Sequence, residues 1–130
     1  MEPLTGLVLF LIITLALIGA VVVTGLAARR RVHLLCVTGA LVFLGVTIYY
    51  AEKLGDLYDL KSAGVITPIH LAVAKTTVLA YLLPVITGIR TIRNPSRKPT
   101  HRKVAFLVLG LTLITALTGT AMVLMATPLS

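Results

Sequence analysis

Acidic residues are scarce in this sequence, and tryptophan is absent. Four of the 130 residues are Asp or Glu against twelve Lys and Arg, so the formal net charge is +8. Aromatic residues make up only 5% of the chain. Nucleic-acid binding needs a polar surface with interleaved aromatic side chains, which this composition does not supply. The positive charge therefore does not indicate a nucleic-acid partner.

Cysteine occurs once, at Cys36, which excludes an internal disulfide. We expect this residue inside a membrane span as a small apolar side chain. A chain that is 58% hydrophobic and 12% charged lies far outside the balance of a soluble domain. So apolar a chain leaves no room for a soluble domain, which excludes most hydrolytic and nucleotide-dependent enzymes. Substrate turnover is therefore the less expected role.

What the sequence does contain is four long apolar stretches. About 20 helical residues cross a hydrocarbon core, and each stretch has about that length. We predict helices over about residues 4–28, 32–51, 68–89 and 104–127. The predicted fold class is an all-α integral membrane four-helix bundle, a single transmembrane domain of residues 1–130 in up-down-up-down order. The first stretch follows Glu2 with no base and is too long for a signal-peptide core, so it is expected to stay as an anchor.

Basic residues predict the orientation of these spans. Two of the predicted loops together contain nine bases and no acid, and by the positive-inside rule both are cytoplasmic. The N- and C-termini are then both on the outer face of a cell membrane. The nine bases are Arg29, Arg30, Arg31, Arg90, Arg93, Arg97, Lys98, Arg102 and Lys103.

Small residues and prolines predict where the helices pack and bend. Small residues at four-residue spacing favour close helix contacts. Such rows are Ala16, Ala20, Thr24 and Ala28 in helix 1, and Thr112, Ala116 and Thr120 in helix 4. Thr67 and Pro68 are predicted to cap and open helix 3. Pro84 is predicted to kink that helix.

Two histidines lie at the predicted cytoplasmic end: His33 opens helix 2, and His101 immediately precedes helix 4. In a simple up-down-up-down order helices 2 and 4 are diagonal, which would place the two imidazoles on either face of one b-type haem. Arg30, Arg97 or Arg102 would then meet the haem propionates. The alternative is that both histidines are ordinary interfacial residues.

His70 lies at the opposite end, about one turn into helix 3. Met122 and Met125 are three residues apart near the outer end of helix 4, and thioether and imidazole groups suit Cu(I). The sequence therefore allows a copper site at His70, Met122 and Met125. The alternative is that both methionines are packing residues.

Lys75 is predicted roughly 10 Å into the membrane on helix 3. It could extend to the surface, form an ion pair with Glu52 or Asp56, or serve a proton or anion path. The ion pair is favoured, because no carboxylate within a span is available to relay protons.

These motifs together resemble a known family. The matching segments are Arg29-Arg30-Arg31-Val32-His33, Pro68-Ile69-His70-Leu71, Thr100-His101-Arg102-Lys103 and Thr118-Gly119, with a proline-bearing helix between the second and third. Over about residues 28–125 the chain resembles the small four-helix bacterial and archaeal membrane proteins of unknown function that are often found with haem-copper oxidases and their assembly factors. It is also similar, in a general way, to helix-bundle b-type cytochromes.

The resemblance implies a bacterial or archaeal plasma membrane and a role near respiratory haem or copper. It makes His33, His70 and His101 the residues expected to bind a cofactor. The leading hypothesis is a haem-binding small subunit or assembly factor of a respiratory electron-transfer complex. The alternatives are a structural accessory subunit of a larger membrane complex, and a small transporter or channel that assembles as an oligomer.

Overall fold

The chain is almost entirely helical. In a computed structural model that describes residues 1–130, four helices are long and apolar enough to cross a membrane. The predicted all-helical, multi-pass class is therefore confirmed. The four spans are Pro3–Leu26, Arg30–Gly55, Ile66–Arg93 and Pro95–Met125.

Five α-helices form these spans, because the third span is broken into two. They are α1 (Pro3–Leu26), α2 (Arg30–Gly55), α3 (Ile66–Ala80), α4 (Leu82–Arg93) and α5 (Lys98–Met125). Short 3₁₀ helices occupy Leu60–Ala63 and Pro95–Arg97. The two-residue strands β1 (Tyr58–Asp59) and β2 (Thr127–Pro128) form a small sheet.

The chain divides into two compact units, each of which is a helical hairpin. Hairpin 1 is Met1–Tyr58 with Leu129, and its helices are α1 and α2. Hairpin 2 is Asp59–Pro128 with Ser130, and its helices are α3, α4 and α5. In both hairpins the turn between the two spans carries arginines, and we call that end of each hairpin its basic end.

A tight turn ends α1 and starts α2. The amide of Ala28 donates to the carbonyl of Gly25 at 3.2 Å, and the amide of Arg29 donates to the carbonyl of Thr24 at 3.0 Å. This pair of bonds is the Schellman motif, in which the residue with positive φ is usually glycine. Here that residue is Ala28, with φ of 56°. The helix therefore ends two residues before the predicted boundary, and the first turn of α2 packs on the last turn of α1.

The third span is interrupted at Tyr81, between α3 and α4. Pro84 has no amide hydrogen to bond the carbonyl of Ala80, four residues earlier. The helix is therefore broken for one residue in the turn before Pro84, where the kink is predicted.

The predicted start of this span at Thr67-Pro68 is wrong. α3 begins at Ile66, and the Thr67 hydroxyl donates to the carbonyl of Leu60 instead of capping the helix. The first four amides of a helix have no partner within it, so a proline fits the third position as well as the first. The proline alone could not fix which of these positions it occupies.

The last helix begins at Lys98, about six residues earlier than predicted. Hydropathy detects only the apolar part of a helix, whereas Pro99 near the N-terminus favours helix entry and the charged first turn continues the same helix. His101, which was predicted to precede this helix, lies in its first turn.

The few buried side chains are small, and many are threonines. Thr14 is only 1% exposed and Thr77 only 3%, whereas Leu124 is 81% exposed. Helices in lipid associate through small residues and hydrogen bonds, because lipid is as apolar as leucine. This distribution suits a chain whose surroundings are hydrocarbon. Cys36 is half-buried in α2, within a span as expected.

The small-residue row predicted on helix 1 forms the contact within hairpin 1 only in part, because Thr24 lies against His33. Ala16 is exposed, and Ala28 lies beyond the end of the helix. The buried residues of α1 are Gly6 and Thr14. On α5, Thr112 is buried, whereas Thr120 of the same predicted row is exposed.

Candidate functional site: the histidine contacts

Each of the three histidines lies against a threonine-glycine pair on the other span of its own hairpin. We call these sets the histidine contacts. They are His33 with Thr24 and Gly25 in hairpin 1, His101 with Thr87 and Gly88 in hairpin 2, and His70 with Thr118 and Gly119 in hairpin 2. The first two lie at the basic ends, and the third lies at the opposite end of hairpin 2.

Glycine gives each imidazole ring its place. A Cβ atom built on Gly119 would lie 2.8 Å from Cε1 of His70, which no real side chain tolerates without a shift. The equivalent distance is 3.1 Å between Gly25 and His33 and 3.3 Å between Gly88 and His101. The ring therefore packs directly on the backbone of the neighbouring helix.

Threonine sets the orientation of each ring. Nδ1 of His33 lies 3.3 Å from the hydroxyl of Thr24. Nδ1 of His101 lies 2.9 Å from the hydroxyl of Thr87. Nδ1 of His70 lies 3.0 Å from the hydroxyl of Thr118. Each of these hydroxyls also contacts a carbonyl oxygen of its own helix at 2.6 to 2.8 Å. A hydroxyl has one hydrogen, so both contacts are hydrogen bonds when the hydroxyl donates to the carbonyl and accepts from a protonated Nδ1.

These contacts favour a neutral imidazole that carries its proton on Nδ1. For His33 a second contact gives the same result, because Nδ1 lies 3.0 Å from the carbonyl oxygen of Val21, which can only accept. The lone pair is then on Nε2. Metal-binding histidines usually have this arrangement, in which one nitrogen donates to an oxygen of the protein and the other binds the metal.

Nitrogen NMR tests this tautomer directly. We expect all three histidines of the ¹⁵N-labelled protein, without added metal and at a pH at which the imidazoles are neutral, to show a protonated Nδ1 and an unprotonated Nε2. Thr118→Val removes the acceptor of His70 and is expected to mix the tautomers at His70 alone. A protonated Nε2 at His33 in the unmodified protein would contradict the assignment.

The two hairpins share one register of polar residues. Thr14 and Thr47 are joined at 3.0 Å in hairpin 1, and Thr77 and Thr115 at 2.7 Å in hairpin 2. In the first span of each hairpin, ten residues separate the paired threonine from the threonine-glycine pair: Thr14 to Thr24-Gly25 and Thr77 to Thr87-Gly88. In the second span, fourteen residues separate the histidine from the paired threonine: His33 to Thr47 and His101 to Thr115. Hydropathy did not predict this repeat. Its signal was available, because five of the ten glycines follow a threonine.

A tyrosine takes the place of a histidine at the far end of hairpin 1. A Cβ on Gly6 would overlap the Tyr50 ring, and the ring of Phe10 stacks on the same tyrosine at 5.4 Å. Tyrosines at the end of a span usually serve as interfacial anchors. Tyr49 is 54% exposed, as an anchor would be, but Tyr50 packs inside the hairpin.

The residues of the predicted copper site have different surroundings. Met122 is buried on α5, the helix whose Thr118 and Gly119 contact His70. Met125 is 59% exposed. No group of three or more His, Cys, Asp or Glu side chains is placed to hold a metal ion. Methionine sulfur is not among these donors, so a copper site at His70, Met122 and Met125 stays a prediction.

Lys75 is exposed on α3, and Glu52 is exposed near the end of α2. The two residues belong to different hairpins. Their predicted ion pair stays a prediction.

Comparison with known proteins adds no relative. No protein-family model, no curated protein and no solved structure matches the chain. The function is therefore inferred from the residues and their contacts.

Proposed function

We propose that this chain is a membrane haem protein of the b-type cytochrome class, in which histidines at the basic ends supply imidazole ligands to the iron. It would serve electron transfer, as a small subunit or assembly factor of a respiratory complex in the plasma membrane of a bacterium or archaeon. The proposal includes the orientation in which the basic ends face the cytoplasm.

The observation that carries this proposal is the shared Nδ1 contact of the histidines. Nδ1 of His33 and Nδ1 of His101 each lie within hydrogen-bond distance of a threonine hydroxyl, and a ring that donates there has its lone pair on Nε2. Haem iron is commonly held by a histidine nitrogen, and oxygen acceptors behind the ring fix its angle and raise its basicity. The residues therefore fit the cofactor in donor chemistry. A bound haem would supply reversible one-electron chemistry.

The arginines beside these histidines complete the donor set. Arg30 lies three residues before His33, and Arg102 follows His101 directly. Guanidinium groups bind carboxylates with two parallel hydrogen bonds, so they suit haem propionates. Arg97 directly precedes Lys98, the first residue of α5.

An absorption spectrum tests the proposal. The full-length protein, expressed with a haem supply and purified in mild detergent, is expected to show a Soret band that shifts on reduction. His33→Ala and His101→Ala are each expected to lose that band, because each removes an imidazole that would hold the iron.

The matched control is His70→Ala, which removes the third imidazole and is expected to keep the band. His33→Gln keeps a hydrogen-bonding side chain but no imidazole, so it separates loss of a ligand from loss of folding, with far-UV circular dichroism as the check. A colourless, folded preparation would contradict the haem proposal, and a band lost only in His70→Ala would contradict the choice of ligands.

A second candidate is a structural accessory subunit, and the histidine contacts themselves favour it. Each contact joins two helices by a ring on a glycine and a hydrogen bond to a threonine, which is how helices associate in lipid. A protein of this kind would co-purify with a larger membrane complex. It would also keep its stability and partners in the absence of haem.

A further inference from the structure

Lys75 is a charged residue on the outward side of a membrane span. It lies nine residues after Ile66, the first residue of α3, and therefore about 13 Å along that helix. Its side chain is exposed, whereas Thr77, two residues later, is buried and contacts Thr115 of α5. Ionisable residues within spans almost always face the interior of a helix bundle or a water-filled cavity. The chain itself provides no such cover for Lys75.

Small residues flank Lys75 on the same exposed side of α3. Ala72 and Thr76 are four residues apart, and both are exposed. The Thr76 hydroxyl donates to the carbonyl of Ala72 at 2.8 Å, so its hydrogen is already bonded within the helix. Small residues at this spacing allow the backbone of a second helix to approach closely. We call Ala72, Lys75 and Thr76 the lysine face.

Hairpin 1 shows that a helical hairpin of this kind does not require a lysine face. In the register set by the paired threonines, Thr77 of α3 corresponds to Thr14 of α1. The three residues of the lysine face then correspond to bulky apolar residues: Ala72 to Leu9, Lys75 to Ile12 and Thr76 to Ile13. Leu9 and Ile12 are 43% and 60% exposed, as side chains in contact with lipid are. The small, charged face is therefore a feature of hairpin 2 alone.

The charge of the lysine face selects a partner that carries a carboxylate. The four acids of this chain lie outside the helices or, in the case of Glu52, in the last turn of one: Glu2, Glu52, Asp56 and Asp59. A symmetric dimer of this chain does not fit, because a two-fold contact through this face would bring two Lys75 side chains together. A membrane helix of a different protein, with an Asp or Glu at the depth of Lys75, fits both the charge and the small residues.

We propose that the lysine face binds a transmembrane helix of a partner protein, with Lys75 paired to an Asp or Glu of that helix. Ala72 and Thr76 would let the two backbones come close enough for the pair to form away from lipid. The inference does not rest on haem binding, because no residue of the lysine face takes part in a histidine contact. It identifies the surface by which this chain would join a larger membrane complex.

A synthetic partner helix tests the proposal. The probe is a leucine-rich transmembrane peptide with one Asp at the depth of Lys75, and the matched peptide has Asn at that position. Energy transfer from the full-length protein, labelled at its N-terminus in phosphatidylcholine vesicles, measures binding. The Asp peptide is expected to bind about three- to tenfold more tightly than the Asn peptide, which is the range for polar contacts between helices in lipid. Equal binding would overturn the proposal, since a lysine that only extends to the headgroups does not distinguish the peptides.

Two variants locate the preference. Lys75→Ile introduces the residue type that hairpin 1 has at this place, and it is expected to abolish the preference for Asp. The double variant K75I/I12K keeps the composition but moves the lysine between Leu9 and Ile13, and it is expected not to restore the preference. Both changes are at exposed positions, and far-UV circular dichroism checks that each variant folds. A preference for Asp in either variant would overturn the site.

Two further variants test the parts of the lysine face. Ala72→Leu adds bulk beside Lys75 and is expected to weaken the binding of both peptides; unchanged binding would overturn the close approach of the helices. Glu52→Gln removes the carboxylate predicted to pair with Lys75 within the chain, and it is expected to leave binding of the Asp peptide unchanged. Tighter binding in Glu52→Gln would show that Glu52 already holds Lys75, and would overturn the partner helix.

Discussion

Gly6→Ala is expected to destabilise the protein by about 1–3 kcal/mol, the usual cost of overpacking a filled contact. Gly19→Ala, in the same helix α1, is expected to stabilise it by up to about 1 kcal/mol, because alanine is the better helix former. The same substitution, 13 residues apart, is therefore predicted to have opposite signs. Unfolding in mixed micelles, followed by circular dichroism as the denaturing detergent is raised, measures both changes.

The reason lies in the space around each glycine. A Cβ at Gly6 would fall on the ring of Tyr50, with its Cγ atom at 2.8 Å, whereas a Cβ at Gly19 would meet nothing within 4 Å. Cγ is held close to the backbone, so the tyrosine cannot yield by moving only its far end. Phe10 stacks on the same ring and limits its rotation further.

A double variant makes this prediction strict. Tyr50→Ala removes the ring, so Gly6→Ala made in that background is expected to lose its destabilising effect. Equal effects of Gly6→Ala with and without the tyrosine would show that the ring does not pack on Gly6.

Gly119→Ala is expected to have the second-largest effect, again destabilising by about 1–3 kcal/mol. Its Cβ would lie 2.8 Å from Cε1 of His70 and 3.3 Å from both ring nitrogens. The ring must move, and it then loses the 3.0 Å contact with Thr118. Gly110→Ala on the same helix meets nothing within 4 Å and serves as the control, with an expected gain of up to about 1 kcal/mol.

The other two histidine contacts extend this test into a series. The distances at Gly25 and Gly88 are 3.1 and 3.3 Å, so the cost of alanine is expected to fall in the order Gly119, Gly25, Gly88. The same mixed-micelle titration gives all three values. A series in which Gly88→Ala is the most damaging would show that ring contact does not set the cost.

The sequence predicted the four spans well because length and hydropathy depend on local composition alone. It failed at helix ends. The last turn of α1 is closed by Ala28 in a conformation that glycine usually adopts, so no local signal marked that end. The first turn of α5 is charged, and charged residues beside an apolar stretch usually indicate a loop. Here the helix continues beyond the apolar stretch.

The histidines themselves were identified because ionisable residues are rare in spans and therefore conspicuous. Their partners were not, since threonine and glycine are common in membrane helices and look like generic packing residues. Which of them faces a histidine depends on the rotation of each helix, and hydropathy does not encode that rotation. Only the equal spacings of Thr14 to Thr24 and of Thr77 to Thr87 carried the information.

The short turn of hairpin 1 also sets the depth of His33. Arg30 begins α2, and the histidine follows three residues later, as His101 follows Lys98 at the start of α5. At 1.5 Å per residue, each imidazole is about 4.5 Å below the first charged residue of its helix. A cofactor held at that level would be close to the aqueous phase, within reach of a water-soluble redox partner approaching the basic side.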